Sequence, residues 1–389
     1  MTHFGFLSTY PPTRCGLATF TEALAGALAA GGARDSVVVR VLDEPRDAPD
    51  PVVVGRVPAG TDLIAGDDAS MRGAVRALSA TDVTIVQHEY GIFGGRDGDE
   101  VVDLLQALDT PAIVVLHTVL ASPTAHQRSV LEAVCRLAAV VVVMTDNARD
   151  ILLQSYRVDA AAVHVIPHGV PVPRAVGASA EFYGAQPVSA RKNAPKRVVT
   201  WGLISPGKGL EWGIRAIAEL GDLTPSVEYV IAGQTHPKVL AHEGEKYRES
   251  LVRLIDELGL EASVTLDDRY LDARQLAELV ATADMVLLPY DSRDQATSGV
   301  LVEAIAAGVP VVATGFPHAV ELLAGGAGLI ARHEDPVSMA DGVRTIVETE
   351  QTRRRMHEAA LRDTQASSWP DVAERYRSLA RGIAAARAA

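Results

Sequence analysis

The chain has 389 residues, 48% of them apolar and 22% charged, with a formal net charge of -13. That length is too great for one ordinary core and predicts a folded protein of two or three domains. The acidic balance argues against a broad nucleic-acid or anionic-membrane surface, but leaves room for a small basic pocket that holds a diphosphate.

In chain order, the first strand is predicted over His3–Leu7. No basic segment with an apolar stretch precedes it, so no signal peptide is expected and the chain reads as cytoplasmic. A Pro-rich loop, Tyr10-Pro11-Pro12-Thr13-Arg14-Cys15-Gly16-Leu17, then leads into a helix over Thr19–Ala30. Strands are predicted at Val37–Val41, Val83–His88, Ala112–Leu116, Ala139–Thr145 and Val163–Ile166, with helices at Glu100–Leu108, Ala125–Leu137 and Asn147–Ser155. Continuous apolar strands imply burial on both faces, and their alternation with helices implies a parallel α/β sheet. The longest apolar run, Leu137–Met144, is too short to span a bilayer. Cys15 and Cys135 have neither metal-site nor disulfide-framework spacing and read as reduced thiols.

The pattern pauses over 167–195, a stretch rich in Pro, Ala, Gly and Ser that carries Arg191, Lys192 and Asn193. This reads as a linker with a loop-like insert. Alternation restarts with strands at Arg197–Trp201, Glu228–Ala232, Ser263–Leu266, Met285–Leu288, Val309–Ala313 and Gly328–Ala331. Helices fit Leu210–Leu220, Tyr247–Leu258, Ala273–Ala281, Gly299–Ala307 and Pro336–Gln351, and a last helix fits Asp371–Ala385. Two successive doubly wound, Rossmann-like α/β domains are the simplest architecture: a first domain over 1–170, a linker over 171–196 and a second domain over 197–370. With two sheets facing each other, a central cleft between them is the expected site.

Two segments of the second half carry the sharpest chemistry. In Asp294-Gln295-Ala296-Thr297-Ser298-Gly299, a polar loop follows a strand and opens into a helix. Backbone N–H groups at such a helix start can hold a phosphate, and Gly299 permits close approach. Glu303 falls one turn further in, where a carboxylate can accept hydrogen bonds from vicinal ribose hydroxyls. A capped helix with a solvent-facing Glu303 is the competing reading. In Trp201-Gly202-Leu203-Ile204-Ser205-Pro206-Gly207-Lys208-Gly209, a glycine loop joins strand to helix, but its spacing is not that of a Walker loop. Lys208 is either a phosphate ligand or a solvated surface lysine.

The stretch from Asp294 to Thr314 resembles the donor-site signature of retaining glycosyltransferases of family GT4, which have the GT-B fold. That signature is an acidic residue, seven intervening positions, a second Glu and a small-residue helix that ends in Gly-x-Pro-Val-Val-Ala-Thr. Glu303 and the residues after it match; Gln295 stands at the first acidic position, which in the family contacts hydroxyls of the donor sugar. Gln hydrogen-bonds but carries no charge. The glycine loop resembles the family's Gly-Arg…Lys-Gly loop, with Lys208 at the diphosphate-clamping Lys and Leu203 in place of the Arg.

The resemblance extends to other positions. Gly16 matches the glycine of the family's first loop, whose backbone brings acceptor and donor phosphate together, and Arg14 is a candidate for the charge missing at Leu203 or else a surface Arg. His117, at a strand end, matches a His that points at the 6-hydroxyl of the donor sugar; no general-base role is expected. His88, Glu89 and Tyr90, in a glycine-rich loop after the strand Val83–His88, read as acceptor-side residues or as structure. Weaker likenesses fall at Ile166–Val170, Gly233–Pro237 and Arg269–Leu271, and Ser368-Trp369-Pro370 precedes a helix (371–389) that resembles the one returning to the first domain.

The resemblance implies a retaining, metal-independent hexosyltransferase moving mannose or glucose from a GDP- or UDP-linked sugar to a hydroxyl acceptor, with no separate cofactor and no nucleic-acid partner. Gln295 disfavours a covalent glycosyl-enzyme, so front-face substitution is expected, with Lys208, the amides of Thr297, Ser298 and Gly299, and Gly16 stabilising the leaving diphosphate. A nucleotide-sugar-binding protein or an epimerase of the same fold are the alternatives. Neither half begins strand–GxGxxG–helix, which disfavours a dinucleotide-dependent dehydrogenase. The acceptor and the oligomeric state are not specified by the sequence.

Overall fold

Strands made of consecutive apolar residues are stable only when covered on both faces. The computed structural model describes residues 2–31, 36–45, 57–170, 194–363 and 367–388, and in it such strands build two parallel sheets. The chain divides into two units, Met1–Gly169 with Ala366–Ala389, and Val170–Gln365. The linker expected over 171–196 lies, for 171–193, outside the described residues.

The first unit contains β1 (Phe4–Ser8), β2 (Val37–Leu42), β3 (Ala59–Ile64), β4 (Val83–His88), β5 (Ala112–Leu116), β6 (Val140–Val143) and β7 (Val163–Val165). Their order in the sheet is β3-β2-β1-β4-β5-β6-β7. Helices α1 (Gly16–Ala30), α2 (Asp68–Ser79), α3 (Glu100–Ala107), α4 (Ala125–Leu137) and α5 (Asp146–Ser155) connect them. The second unit contains β8 (Lys196–Trp201), β9 (Val227–Ala232), β10 (Val264–Asp267), β11 (Met285–Leu288), β12 (Val311–Thr314) and β13 (Gly328–Ala331), in the order β10-β9-β8-β11-β12-β13. Its helices are α6 (Leu210–Ala218), α7 (Pro237–Glu243), α8 (Lys246–Leu258), α9 (Ala273–Ala281), α10 (Gly299–Ala306), α11 (Pro317–Leu323), α12 (Pro336–Glu348) and α13 (Glu350–Asp363).

Alternate residues of the same strands feed two cores in the second unit. Val198, Tyr229 and Leu287 pack with Ile214 of α6, whereas Val199, Val230 and Leu288 pack with Leu301 and Ile305 of α10. That division by parity is the mark of a sheet covered on both faces. In the first unit, Phe4 and Phe6 pack with Phe20 and Leu24 of α1 and with Val372 and Tyr376 of the last helix, α14 (Trp369–Ala388). Each such side chain contributes about 1.5–3 kcal/mol on full burial. Arg377 of α14 donates to the Ala27 carbonyl at 3.0 Å, near the end of α1.

The structure adds elements that the sequence reading lacks. Strand β3 reads Ala-Gly-Thr-Asp-Leu-Ile and is a sheet edge where only Leu63 is fully buried, so no apolar run announces it. The helix expected over Pro336–Gln351 ends at Glu348, and a separate, highly charged helix, α13, follows.

In each sheet the strand order reverses once along the chain, between β1 and β4 and between β8 and β11. The crevice outside the carboxyl ends at such a switch point is where open α/β sheets take ligands.

Candidate functional site

The second-unit site begins where β8 ends. Gly202 has φ 118°, and its N–H donates to the Ala232 carbonyl at 3.0 Å. Pairing continues past both strands: Ile204 N–H donates to Gln234 O at 2.9 Å, and His236 N–H to Ile204 O at 2.8 Å. A Cβ on Gly233, whose φ is 147°, would stand 1.9 Å from the Gly202 carbonyl oxygen. Only glycine lets the two loops lie this close. Gly233→Ala is therefore expected to cost about 2–4 kcal/mol of stability and to weaken nucleotide binding; chemical denaturation with a parallel binding titration checks both.

The rest of the glycine loop is pinned to the segment after β11. Gly207 and Gly209 both adopt left-handed φ, and a Cβ on Gly209 would meet the Pro289 carbonyl oxygen at 2.0 Å. Asp291 N–H donates to the Gly207 carbonyl at 3.0 Å. Between these glycines, Lys208 lies half-buried with Nζ 4.1 Å from the centre of the Tyr290 ring. Tyr290 is buried and stacks on Phe316. A cation held over a ring gains about 0.5–1 kcal/mol, enough to bias its rotamer without neutralising its charge. Among the described residues no carboxylate pairs with Lys208. Trp201, Gly202, Leu203, Lys208 and Tyr290 line one concavity.

Helix α10 supplies the other side of this site. Ser298 is its N-cap, and its Oγ accepts from Leu301 N–H at 3.3 Å. The Ser298 amide itself donates to Nδ1 of buried His318 at 2.8 Å. This corrects one expectation: Ser298 does not offer an open backbone donor, because His318 from a neighbouring helix already takes it. The first-turn amides of Gly299 and Val300 have no acceptor within the helix and remain as donors for an anion. Gln295 turns its amide nitrogen back to the Thr297 carbonyl at 3.1 Å, and Thr297 Oγ1 is buried without a hydrogen-bond partner among the described residues. Glu303 is not a freely exposed carboxylate. It is half-buried, and its Oε2 accepts from the Trp201 indole Nε1 at 3.0 Å. Burial pushes its carboxyl pKa upward, against the opposing pull of the Trp201 hydrogen bond.

The first-unit residues gather at the ends of β1, β4 and β5. Helix α1 starts without a side-chain cap, because Cys15 Sγ lies 3.2 Å from Thr9 Oγ1 instead. Gly16 is exposed, and a Cβ there would meet nothing within 4 Å. Among the described residues no neighbour demands glycine at this position, so the room it leaves faces outward. Arg14 is exposed in the loop before it.

His117 donates from Nε2 to Gln87 Oε1 at 2.7 Å, since a carbonyl oxygen can only accept. Its Nδ1 is then an acceptor, suited to a sugar hydroxyl. Burial, reinforced by His168 and His88, pushes its pKa down to about 3, so it is neutral at pH 7 and a poor base. Glu89 accepts from Thr118 Oγ1 at 2.5 Å and from the Tyr90 amide at 3.0 Å, while burial raises its pKa. Tyr90 packs edge-on against His88 at 5.2 Å. His88 departs from the expected acceptor side. It closes the central strand β4 and is fully buried, and neither ring nitrogen has a partner among the described residues.

Three imidazoles of this unit are held neutral by burial: His117 at about 3, and His88 and His168 at about 4. The unfolded chain takes up these protons near pH 6.5, well before the folded one does. The unfolded state therefore binds more protons between those values, and stability falls as pH drops below about 6.5. Urea midpoints measured at pH 7, 6 and 5 should decline in that order; a flat series would show the rings to be solvated.

Several functional positions escaped the sequence reading: Tyr290 under Lys208, His318 on the Ser298 amide, and Gln87 and Thr118 holding His117 and Glu89. Only Gln87 had a local signal, as a polar amide directly after the apolar pair Ile85–Val86 of β4. Among the described residues there is no cluster of three or more metal-ligating side chains, and no helix is long and apolar enough to cross a membrane.

Comparison with known proteins joins these observations. A family model described as "Glycosyl transferases group 1" matches residues 185–363, and one described as "Glycosyltransferase Family 4" matches residues 15–174. The D-inositol 3-phosphate glycosyltransferase of Corynebacterium glutamicum (strain R) is 30% identical over 259 residues, which are 62% of this chain and 57% of the relative. The alpha-D-kanosaminyltransferase of Streptomyces kanamyceticus is 28% identical over 58% of this chain and 55% of its own length. The matched region thus spans less than two thirds of these relatives. Among solved structures, Anabaena HepE in complex with UDP and glucose aligns with a TM-score of 0.74 at 17% identity, over 98% of this chain and all of that one. Sucrose-phosphate synthase from Thermosynechococcus elongatus aligns at 0.76 and 17%, over 99% of this chain and all of that one. These likenesses show the GT-B fold.

Proposed function

The chain belongs to the group 1 glycosyltransferase family, and from that premise we propose that it moves a hexose, glucose or mannose, from a nucleoside diphosphate to a hydroxyl acceptor with retention of configuration. One observation carries the reading. A cation (Lys208), two open helix-start amides (Gly299 and Val300) and a carboxylate (Glu303) are tied together through Trp201 and Gly202 at the β8/β11 switch point. Cation and amides suit a diphosphate, and the carboxylate suits a ribose.

In this mechanism the bond from the anomeric carbon to the diphosphate oxygen breaks. The acceptor oxygen then bonds to the same face of that carbon. The acceptor's proton passes to the departing phosphate oxygen, so free nucleoside diphosphate is released. Gln295 carries no nucleophilic carboxylate, which favours this front-face route. Lys208 and the α10 amides stabilise the charge that grows on the diphosphate, as preorganised donors do. His117 Nδ1 serves as an acceptor for a sugar hydroxyl, and the Glu89–Tyr90 loop is assigned to the acceptor. With charge stabilisation supplied by these groups, turnover is expected to persist in a chelator.

The HepE complex, with UDP and glucose, places UDP-glucose first among donors to try; GDP-mannose follows. The relatives named for D-inositol 3-phosphate make that compound the first acceptor. The test is release of nucleoside diphosphate over donor and acceptor pairs, with thermal shift by UDP, GDP and ADP alongside. Release only when donor and acceptor are both present supports transfer. Conversion of the donor alone would mark an epimerase. Nucleotide binding without release for any acceptor would mark a binding protein, the reading that the uncharged Leu203 and Gln295 favour.

A further inference from the structure

We infer that Trp201 is a positioning residue for nucleotide recognition: its indole N–H fixes the Glu303 carboxylate so that the site reads a ribose cis-diol and rejects 2′-deoxyribonucleotides. This rests on the assignment of Glu303 to the ribose made above.

Trp201 is the last residue of β8 and is 6% exposed, packed in the core formed by Val199, Leu288, Leu301 and Ile305. Its indole has a single polar atom, a donor. That donor meets Glu303 Oε2 at 3.0 Å across 102 positions of sequence. The remaining oxygen, Oε1, has no hydrogen-bond partner among the described residues. Glutamate has three rotatable bonds and, without an anchor, would spread over several rotamers. An anchor on a rigid strand removes that freedom before a ligand arrives, and preorganisation of this kind improves affinity without adding a ligand contact.

The geometry also sets specificity. A carboxylate offers about four lone pairs, and the indole occupies one. The others are held in a fixed plane, able to accept from two neighbouring hydroxyls at once. A 2′-deoxyribose supplies only one. A buried acceptor left without its donor is costly, which makes such a site discriminate strongly. The same bond favours the ionised form of Glu303 against the burial that opposes it.

The competing possibility is that Trp201 merely satisfies its own N–H against a convenient helix carboxylate. That role predicts an effect on stability alone. Calorimetric titration of UDP and 2′-deoxy-UDP into the wild-type chain, Trp201→Phe and Glu303→Gln separates the two; GDP and its 2′-deoxy form replace them if UDP does not bind. In Trp201→Phe the UDP dissociation constant should rise about tenfold, the scale of one hydrogen bond to a charged group. The ribo-to-deoxy ratio should fall towards one, and the pH below which UDP binding fails should move upward. Wild-type ratio and pH profile in Trp201→Phe, with the ratio lost in Glu303→Gln, would overturn the inference while sparing the ribose assignment. An unchanged ratio in Glu303→Gln would instead sink that assignment, and the inference with it. Should Trp201→Phe fail to fold, the indole N–H resonances of the wild type decide. With three tryptophans in the chain, one signal should shift on adding UDP and much less with 2′-deoxy-UDP; equal shifts would overturn the inference.

Discussion

Replacing Lys208 by alanine is expected to lower kcat by about two to three orders of magnitude, the usual cost of losing one preorganised charge-stabilising donor. Two features place the effect towards the larger end. The loop from Gly202 to Gly209 holds no other cation, since Leu203 stands where the resembling family has Arg. The lysine is also held in place: Gly207 and Gly209 fix the backbone on either side of it, and Tyr290 lies beneath its ammonium. A positioned charge acts on the transition state more than on the bound donor, because negative charge on the diphosphate grows as the glycosidic bond breaks. The nucleotide dissociation constant should accordingly rise much less than kcat falls. Lys208→Met, which keeps the stem over Tyr290 but removes the charge, should behave like alanine. Near-normal turnover in either variant, measured under single-turnover conditions, would remove Lys208 from the diphosphate site.

How much of this site the sequence could reveal depends on how local each signal is. Strands β5 and β11 begin and end where their apolar runs do, since burial on both faces leaves no polar residue inside. Edge strand β3 and helix α13 make few buried contacts, so composition hides them. Lys208 and Glu303 are readable because each sits in a contiguous strand–loop–helix segment with its own residue pattern. The contacts that give them direction are tertiary. Trp201 reaches Glu303, His318 reaches Ser298 and Gln87 reaches His117 across 102, 20 and 30 positions. Periodicity carries no information about such pairs. The fully buried His88 shows the converse: a polar residue at a strand end looks functional in a sequence, while the register of β4 against β5 decides that it points inward.

Replacing Glu303 by glutamine should have opposite effects on binding and on stability. The amide keeps the shape and can still accept from Trp201 Nε1, so the core around β8 and α10 is preserved. It loses the charge that strengthens hydrogen bonds to ribose hydroxyls, and the dissociation constant of the donor nucleotide is expected to rise about 10- to 100-fold. The carboxyl pKa of the wild-type residue is raised by burial. A carboxyl whose folded pKa lies above its unfolded value favours the fold most at low pH, and that contribution is lost as pH rises through the folded value. At neutral pH the wild-type chain therefore keeps a charge that opposes folding, and Glu303→Gln should unfold at a higher temperature. The difference should shrink as pH falls towards the unfolded carboxyl range, where both side chains are neutral. Thermal unfolding at pH 7.5 and pH 4.5, paired with calorimetric titration of the nucleotide, reads both effects in one preparation. A variant that binds as tightly as the wild type would show that this carboxylate does not hold the ribose. One that is less stable at neutral pH would show that the charge is already compensated in the fold, leaving no conflict between stability and ligand recognition at this position.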